Sequence, residues 1–316
     1  MGNSEPLKLA MLGMVDGNGH PYSWSAMFNG YDPVEMAKCP FAGIPTYLDK
    51  EPKDTLQIQG ARVTHVWTDD PADAELVSKA SLVPNVVKKA EDVIGQVDAV
   101  IVATDKGWEH VERCKPFIEA GLPIFVDKPM VDNEADLQIF CKWVKDGARI
   151  LSSSSMRYCK EYAPLRMSTN NLGKLRYISI TTPKTWERYG IHALEGIYPI
   201  TGPGYISVRN TGTSDKNIVH LKHRDGADVV IAAISDMYGA FGVLDVCGTA
   251  GFQQVASMDS FYSFKAQLQT FVDYLQTGEL PFPFAETVEL MKIIIAGIRS
   301  RDDGGREVML DEIKEF

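Results

Sequence analysis

Two short clusters carry the side chains of this 316-residue chain best suited to moving a proton and holding charge. The first is Asp127-Lys128-Pro129, directly after the apolar run Leu122 to Val126, with a companion, Thr104-Asp105-Lys106, after the run Ala99 to Ala103. The second lies within Trp186 to Glu195, where Arg188, His192 and Glu195 stand at positions i, i+4 and i+7 and so share one helical face. A lysine fixed at a strand end can donate to a substrate oxygen and favour its ionised form, and a histidine can accept the hydroxyl proton. A third stretch, Gly13 to Trp24, places Gly13, Gly17 and Gly19 after a strand, where glycines let the backbone approach a phosphate.

Positioning these groups requires a particular architecture. Ala99 to Ala103 and Leu122 to Val126 are continuous apolar runs without alternation, joined by a helix over Trp108 to Ala120 that Gly121 ends. Two strands joined by a crossover helix lie parallel and are buried on both faces. In an open parallel sheet the ligand crevice lies beyond the carboxyl ends of the strands, which is where Asp105 and Lys128 fall. Leu7 to Leu12 and Arg62 to Trp67 supply two more strands, and Arg149 to Ser154 the last. The second strand ends at Asp69-Asp70, placed to accept hydrogen bonds from an adenosine ribose or to cap the helix starting near Ala72. Pro33 to Gly60 is an insertion before that strand, and its length suggests a lid-like loop.

Beyond this region Glu161 to Thr169 reads as a helix, Leu175 to Thr181 as a strand and Trp186 to Tyr198 as the helix bearing His192. Ser207 to Arg209, Ile218 to His223, Asp228 to Ile234 and Gly239 to Gly248 are short alternating segments separated by turns, the mark of an antiparallel sheet. Phe264 to Leu275 reads as a long amphipathic helix, and Ala285 to Arg301 returns to finish the domain. The expected fold class is α/β: residues 1–151 a Rossmann-type, doubly wound parallel sheet, residues 152–316 an α+β domain with a large, mostly antiparallel sheet.

Ala103-Thr104, His110, Ala120-Gly121, Val126 and Asp127-Lys128-Pro129 together resemble the signature of the Gfo/Idh/MocA oxidoreductases, with Asp127 where the family carries Glu. Met156-Arg157-Tyr158 resembles the family's crossover into the second domain. The helix after the first strand of that domain resembles the family's Asp-x-x-x-His helix in His192 and Glu195, but Arg188 stands at the Asp position. The resemblance implies catalytic roles for Lys128, His192 and Glu195, and cofactor contacts from Gly13, Gly17, Gly19, Asp69, Thr104, Asp105, His110 and Lys128. It also implies substrate contacts from Arg157, Arg188 and Tyr189. With the family's Asp missing, either Glu195 orients His192, or Arg188 keeps it neutral at pH 7 by like-charge repulsion, or catalysis is lost. NAD is the expected cofactor, ahead of NADP, because no Arg or Lys adjoins Asp69-Asp70 in sequence to receive a 2′-phosphate.

Composition narrows the partners. A net charge of -10 argues against nucleic acid and anionic membranes, and no apolar stretch reaches the roughly 20 residues of a span. The odd, scattered set of five cysteines reads as reduced packing residues in the cytoplasm, and no Cys/His cluster has metal spacing, so no metal is expected. The resemblance further implies a homo-oligomer formed through the C-terminal sheet. The leading expectation is an NAD(P)-dependent oxidoreductase acting on a hydroxyl of a sugar or cyclitol. The alternatives are a non-enzymatic NAD-binding regulator or sugar sensor, and an enzyme that cleaves glycosides through transient NAD oxidation.

Overall fold

The computed structural model describes residues 5–316, residue 54 by its backbone alone. Strands β1 (Leu7–Leu12), β2 (Ala61–Trp67), β3 (Asn85–Val86), β4 (Ala99–Val102), β5 (Ile124–Val126) and β6 (Ile150–Leu151) form a six-stranded sheet in the order β3-β2-β1-β4-β5-β6. Every pairing in it is parallel. Helices α1 (His20–Asn29), α2 (Pro33–Met36), α3 (Gly43–Leu48), α4 (Pro71–Ala80), α5 (His110–Glu119) and α6 (Glu134–Lys145) surround it. β4 and β5 are wholly buried, as their unbroken apolar runs require. The strand order reverses between β1 and β4, so the crevice opens beyond Leu12 and Val102.

Proline and polar caps set the helix starts. Asp70 accepts from the Ala72 amide at the head of α4, and Asn133 accepts from Asp136 at the head of α6. The expectation of a lid over residues 33–60 is corrected. Met36, Leu48, Leu56 and Ile58 of that segment are buried with Trp24 and Met27 of α1, so the insertion is core. Gly19 serves the same packing: a Cβ there would lie 2.5 Å from Phe41 Cδ2.

The second sheet has seven strands, β7 (Leu175–Pro183), β8 (Tyr205–Asn210), β9 (Lys216–His223), β10 (Asp228–Ile234), β11 (Val243–Gly248), β12 (Phe252–Ala256) and β13 (Val308–Met309), in the order β12-β11-β7-β10-β9-β8-β13. Only β7 with β10 is parallel. One face is covered by α8 (Trp186–Thr201) and α10 (Phe284–Asp302); α7 (Ala163–Met167) and α9 (Ser260–Thr277) complete the helices. The helix expected over Glu161 to Thr169 is shortened to α7 by a 3-10 turn at Lys160–Tyr162, since Pro164 suits a first turn and Ser168 is extended. The strand expected over Arg149 to Ser154 pairs only at Ile150–Leu151.

Trp186 fixes α8 against α10. Its indole is fully buried and donates to the Ile294 carbonyl at 2.9 Å, and a Cβ on Gly297 would lie 2.4 Å from its nitrogen. Gly297→Ala is therefore expected to overpack this contact and cost about 1–3 kcal/mol in urea unfolding. Gly43→Ala, whose Cβ meets nothing within 4 Å, is expected to stay within about 0.5 kcal/mol.

Candidate active site

The two sequence clusters meet. Lys128 leaves the end of β5 and is 2% exposed; its ammonium stands 3.5 Å from Asp105 Oδ2, which leaves the end of β4. Arg188, on α8 under the second sheet, reaches the same carboxylate through Nη2 at 2.6 Å and the Asp16 carbonyl at 3.0 Å. Burial works to raise the Asp105 carboxyl, but the Lys128 and Arg188 charges outweigh it and hold the group well below the usual carboxylate range. Burial likewise works against the Lys128 ammonium, and Asp105 and Asp127 more than restore it.

Tyr189 lies between two ammonium groups, Lys128 at 4.4 Å and Lys184 at 4.2 Å from its ring centre. Lys184 holds a left-handed backbone, φ 60, and donates to the Tyr189 hydroxyl at 2.8 Å and the Gly17 carbonyl at 3.0 Å. Strain of this kind in a residue with a side chain persists where the surroundings enforce it. The Tyr189 ring meets His192 edge-on at 4.6 Å, and His192 Nδ1 is 2.6 Å from the Ser154 hydroxyl. Burial, then Lys128, His20 and Lys184, push His192 well below its ordinary value, so it is neutral at pH 7.

Several sequence expectations are corrected here. Glu195 does not touch His192; it takes the Ser154 amide at 3.3 Å and pairs with Arg157, so its influence on His192 runs through Ser154. Arg157 is held by Glu195, by Glu286 at 2.9 Å and by the Phe282 ring. Arg188 neither repels His192 nor turns outward: Asp105 neutralises it, and Glu187 pairs with Arg301. His110 is fully buried with Nδ1 on the Met130 carbonyl and Nε2 on Thr104, so it ties two strand ends together instead of facing a cofactor.

The adenosine end is better furnished than the sequence suggested. Gly13, φ +85, lies so close to Thr104 that a Cβ would be 2.7 Å from its methyl group. Asp69 accepts from the Met14 amide at 3.1 Å and is 2.8 Å from Arg113, a basic neighbour that sequence reasoning missed because it comes from α5. Leu12, Trp67, Lys88, Val102, Arg113 and Phe117 line an adjoining cavity of about 310 Å³. Gly17 sits at the tip of a tight turn closed by Asn18 on Val15, its carbonyl held by Lys184.

Sequence reasoning also passed over His20. Its Nδ1 is 2.7 Å from Asp127 Oδ2, and its ring stacks on Trp24 at 4.1 Å. Its position directly after Gly19 at the head of α1 was the available signal.

Because Asp105 compensates two cations, Asp105→Asn is expected to cost about 3–5 kcal/mol at pH 7. A depressed carboxylate contributes stability above its unfolded value near 3.9 that is lost as pH falls toward the folded one. The acid limb of the stability curve below about pH 4 should therefore be shallower in the variant, as read by urea unfolding across pH.

The family model described as an oxidoreductase family with an NAD-binding Rossmann fold, Gfo/Idh/MocA, matches residues 43–154. A protein of Amycolatopsis mediterranei named as a UDP-kanosamine synthase oxidoreductase subunit is 25% identical over 111 residues, 35% of this chain and 31% of that protein, so the match spans about a third of the relative. The crystal structure of myo-inositol 2-dehydrogenase from Lactobacillus plantarum superposes with a TM-score of 0.73 at 17% identity, over 96% of this chain and 99% of that one. That of scyllo-inositol dehydrogenase from Lactobacillus casei, with NAD(H) and scyllo-inositol bound, gives 0.74 at 13% identity, over 97% and 100%. At these identities the two structures speak for the fold alone. Over residues 43–154 the chain is thus similar to the Gfo/Idh/MocA oxidoreductases.

Proposed function

We propose that the protein is an NAD-dependent oxidoreductase that moves hydride between the cofactor and a hydroxyl-bearing carbon of a sugar or cyclitol. The observation that carries this reading is the meeting of Lys128, from a strand end of the parallel sheet, with His192, from a helix of the second sheet, around Tyr189 and above the crevice. The chain's residues fit the cofactor: Gly13 leaves a cradle that a Cβ would fill, and the cavity by Asp69 and Arg113 takes an adenine. Asp69 receives the ribose hydroxyls. When bound, nicotinamide supplies the two-electron acceptor or donor.

Lys128 carries its charge to the substrate oxygen and stabilises the developing alkoxide, and neutral His192 meets the same oxygen. Lys184 and Arg188 tie the glycine-rich turn to α8 and the segment leading into it. The division into domains falls after Leu151, where the parallel sheet ends. The inositol dehydrogenases of the same fold motivate cyclitols as the first substrates to try. The five cysteines are all free thiols, which supports a reducing, cytoplasmic setting.

The proposal extends to a homo-oligomer. The uncovered face of the second sheet presents Tyr177, Ile218 and Phe252, each more than 40% exposed, beside Val230, Ala232 and Cys247. Light scattering should give a mass above that of one chain, falling to 35.0 kDa on Ile218→Glu.

Titration calorimetry with NAD, followed by a panel of polyols read at the reduced nicotinamide absorbance, tests the function. Asp69→Ala is expected to weaken NAD roughly 10- to 100-fold, as for hydrogen bonds to a charged group. Lys128→Met is expected to bind NAD and lose about 10²–10⁴ in turnover. Binding without turnover on any polyol would instead favour the sensor reading, and absence of NAD binding would end both.

A further inference from the structure

We propose that His20, held by Asp127, is the general base of this site, and that His192 is a hydrogen-bond donor to the substrate oxygen. The inference rests on the oxidoreductase reading above, and it follows from counting donors and acceptors. A carboxylate only accepts, so the 2.7 Å contact between His20 Nδ1 and Asp127 Oδ2 places a hydrogen on Nδ1, and in the neutral ring Nε2 then keeps a free lone pair. Asp127 is fully buried and held on both oxygens: Asn18 Nδ2 donates to Oδ2 at 3.1 Å and the Lys128 amide to Oδ1 at 2.8 Å. Stacking on Trp24 and an edge contact with Phe264 at 5.2 Å hold the imidazole in one orientation.

His192 has the opposite tautomer. The Ser154 oxygen already accepts from the Met156 amide at 3.1 Å, and its own hydrogen has one partner, His192 Nδ1. Nδ1 is thus the acceptor and Nε2 carries the hydrogen, which makes neutral His192 a donor on its remaining edge. Exposure separates the two rings as well. A base must pass its proton to water in every turnover; the His20 side chain is 15% exposed, whereas His192 is enclosed.

In the oxidation direction the hydroxyl proton would pass to His20 Nε2 as the carbon–oxygen double bond forms, and the hydride lost from the carbon would go to the oxidised nicotinamide that the site would hold. The imidazolium, paired with Asp127, then releases the proton to solvent. The charged and titratable groups around the two rings are Asp127 and Lys128 after β5, Asp105 after β4, and Lys184 and Tyr189 from the second sheet and α8.

Nitrogen-15 NMR of histidine-labelled protein, with and without NAD, reads the tautomers without any turnover. The expected result is Nδ1–H for His20 and Nε2–H for His192, each assigned through His20→Gln and His192→Gln; the reverse pattern overturns the proposal even if no substrate is found. In activity, glutamine can replace an Nε2–H donor but cannot take a proton. His192→Gln should therefore lower kcat about tenfold, and His20→Gln about 10²–10⁴-fold with NAD affinity kept and the acid limb of the kcat/KM profile lost. A full loss in His192→Gln beside a mild effect in His20→Gln would return the base to His192. Wild-type protein that binds NAD and oxidises nothing would count against the oxidoreductase reading, and the NMR pattern alone would then decide between the two rings.

Discussion

The site is organised by one buried carboxylate. Asp105 is 1% exposed and receives a lysine from the parallel sheet and an arginine from the helix beneath the other sheet. A lone charge at that depth would be strongly disfavoured, and two cations facing each other without it would repel. The three charges are therefore tolerable only as a set. Such a set gains little over an apolar filling of the same volume, but it fixes which atoms meet. That registry brings α8, and with it Tyr189 and His192, over the ends of β4 and β5.

From this centre polar contacts run outward in two directions. On one side Ser154 holds His192, Glu195 holds the Ser154 amide, and Arg157 balances Glu195 with help from Glu286. Burial raises the Glu195 carboxyl, and Arg157 works against that rise. On the other side Asp127 gathers Asn18, His20 and the Lys128 amide. Lys128 and Asp127 are adjacent just past the end of β5, the Lys128 ammonium standing by Tyr189 of α8 and the Asp127 carboxylate by His20 at the head of α1. One dipeptide thus sets a cation against Tyr189 and a carboxylate against the imidazole at the head of α1.

Much of this was legible in the sequence. Apolar runs ended by Thr104-Asp105 and Asp127-Lys128 announced parallel strands aimed at a crevice, and Arg188, His192 and Glu195 announced a helix with one polar face. What could not be read was which polar groups would pair. Arg113 reaches Asp69 across a separation of 44 residues, and Ser154 reaches His192 across 38. Periodicity carries no information about such partners, because it fixes the face of an element and not its neighbour. The insertion over residues 33–60 misled for a related reason. Its prolines and short segments look like loop, yet Met36, Leu48 and Ile58 find apolar partners on α1 that no local pattern reveals.

Arg188 shows how a change of charge sign is absorbed by a site. An acid at this position would sit opposite Asp105 and add a second negative charge to a buried pocket, leaving Lys128 as the one cation between them. Arginine there turns the pocket into one anion between two cations, while burial first, and then Lys128, His20 and Lys184, keep the nearby imidazole of His192 from gaining a proton. A ring that resists protonation is poorly suited to taking a proton from an alcohol, but well suited to donating a hydrogen bond to the alkoxide that remains. The proton then needs another acceptor, one whose positive form has a carboxylate beside it. The acceptor assigned here is His20, whose Nδ1 lies 2.7 Å from the Asp127 carboxylate, while Arg188 is held apart from it on Asp105.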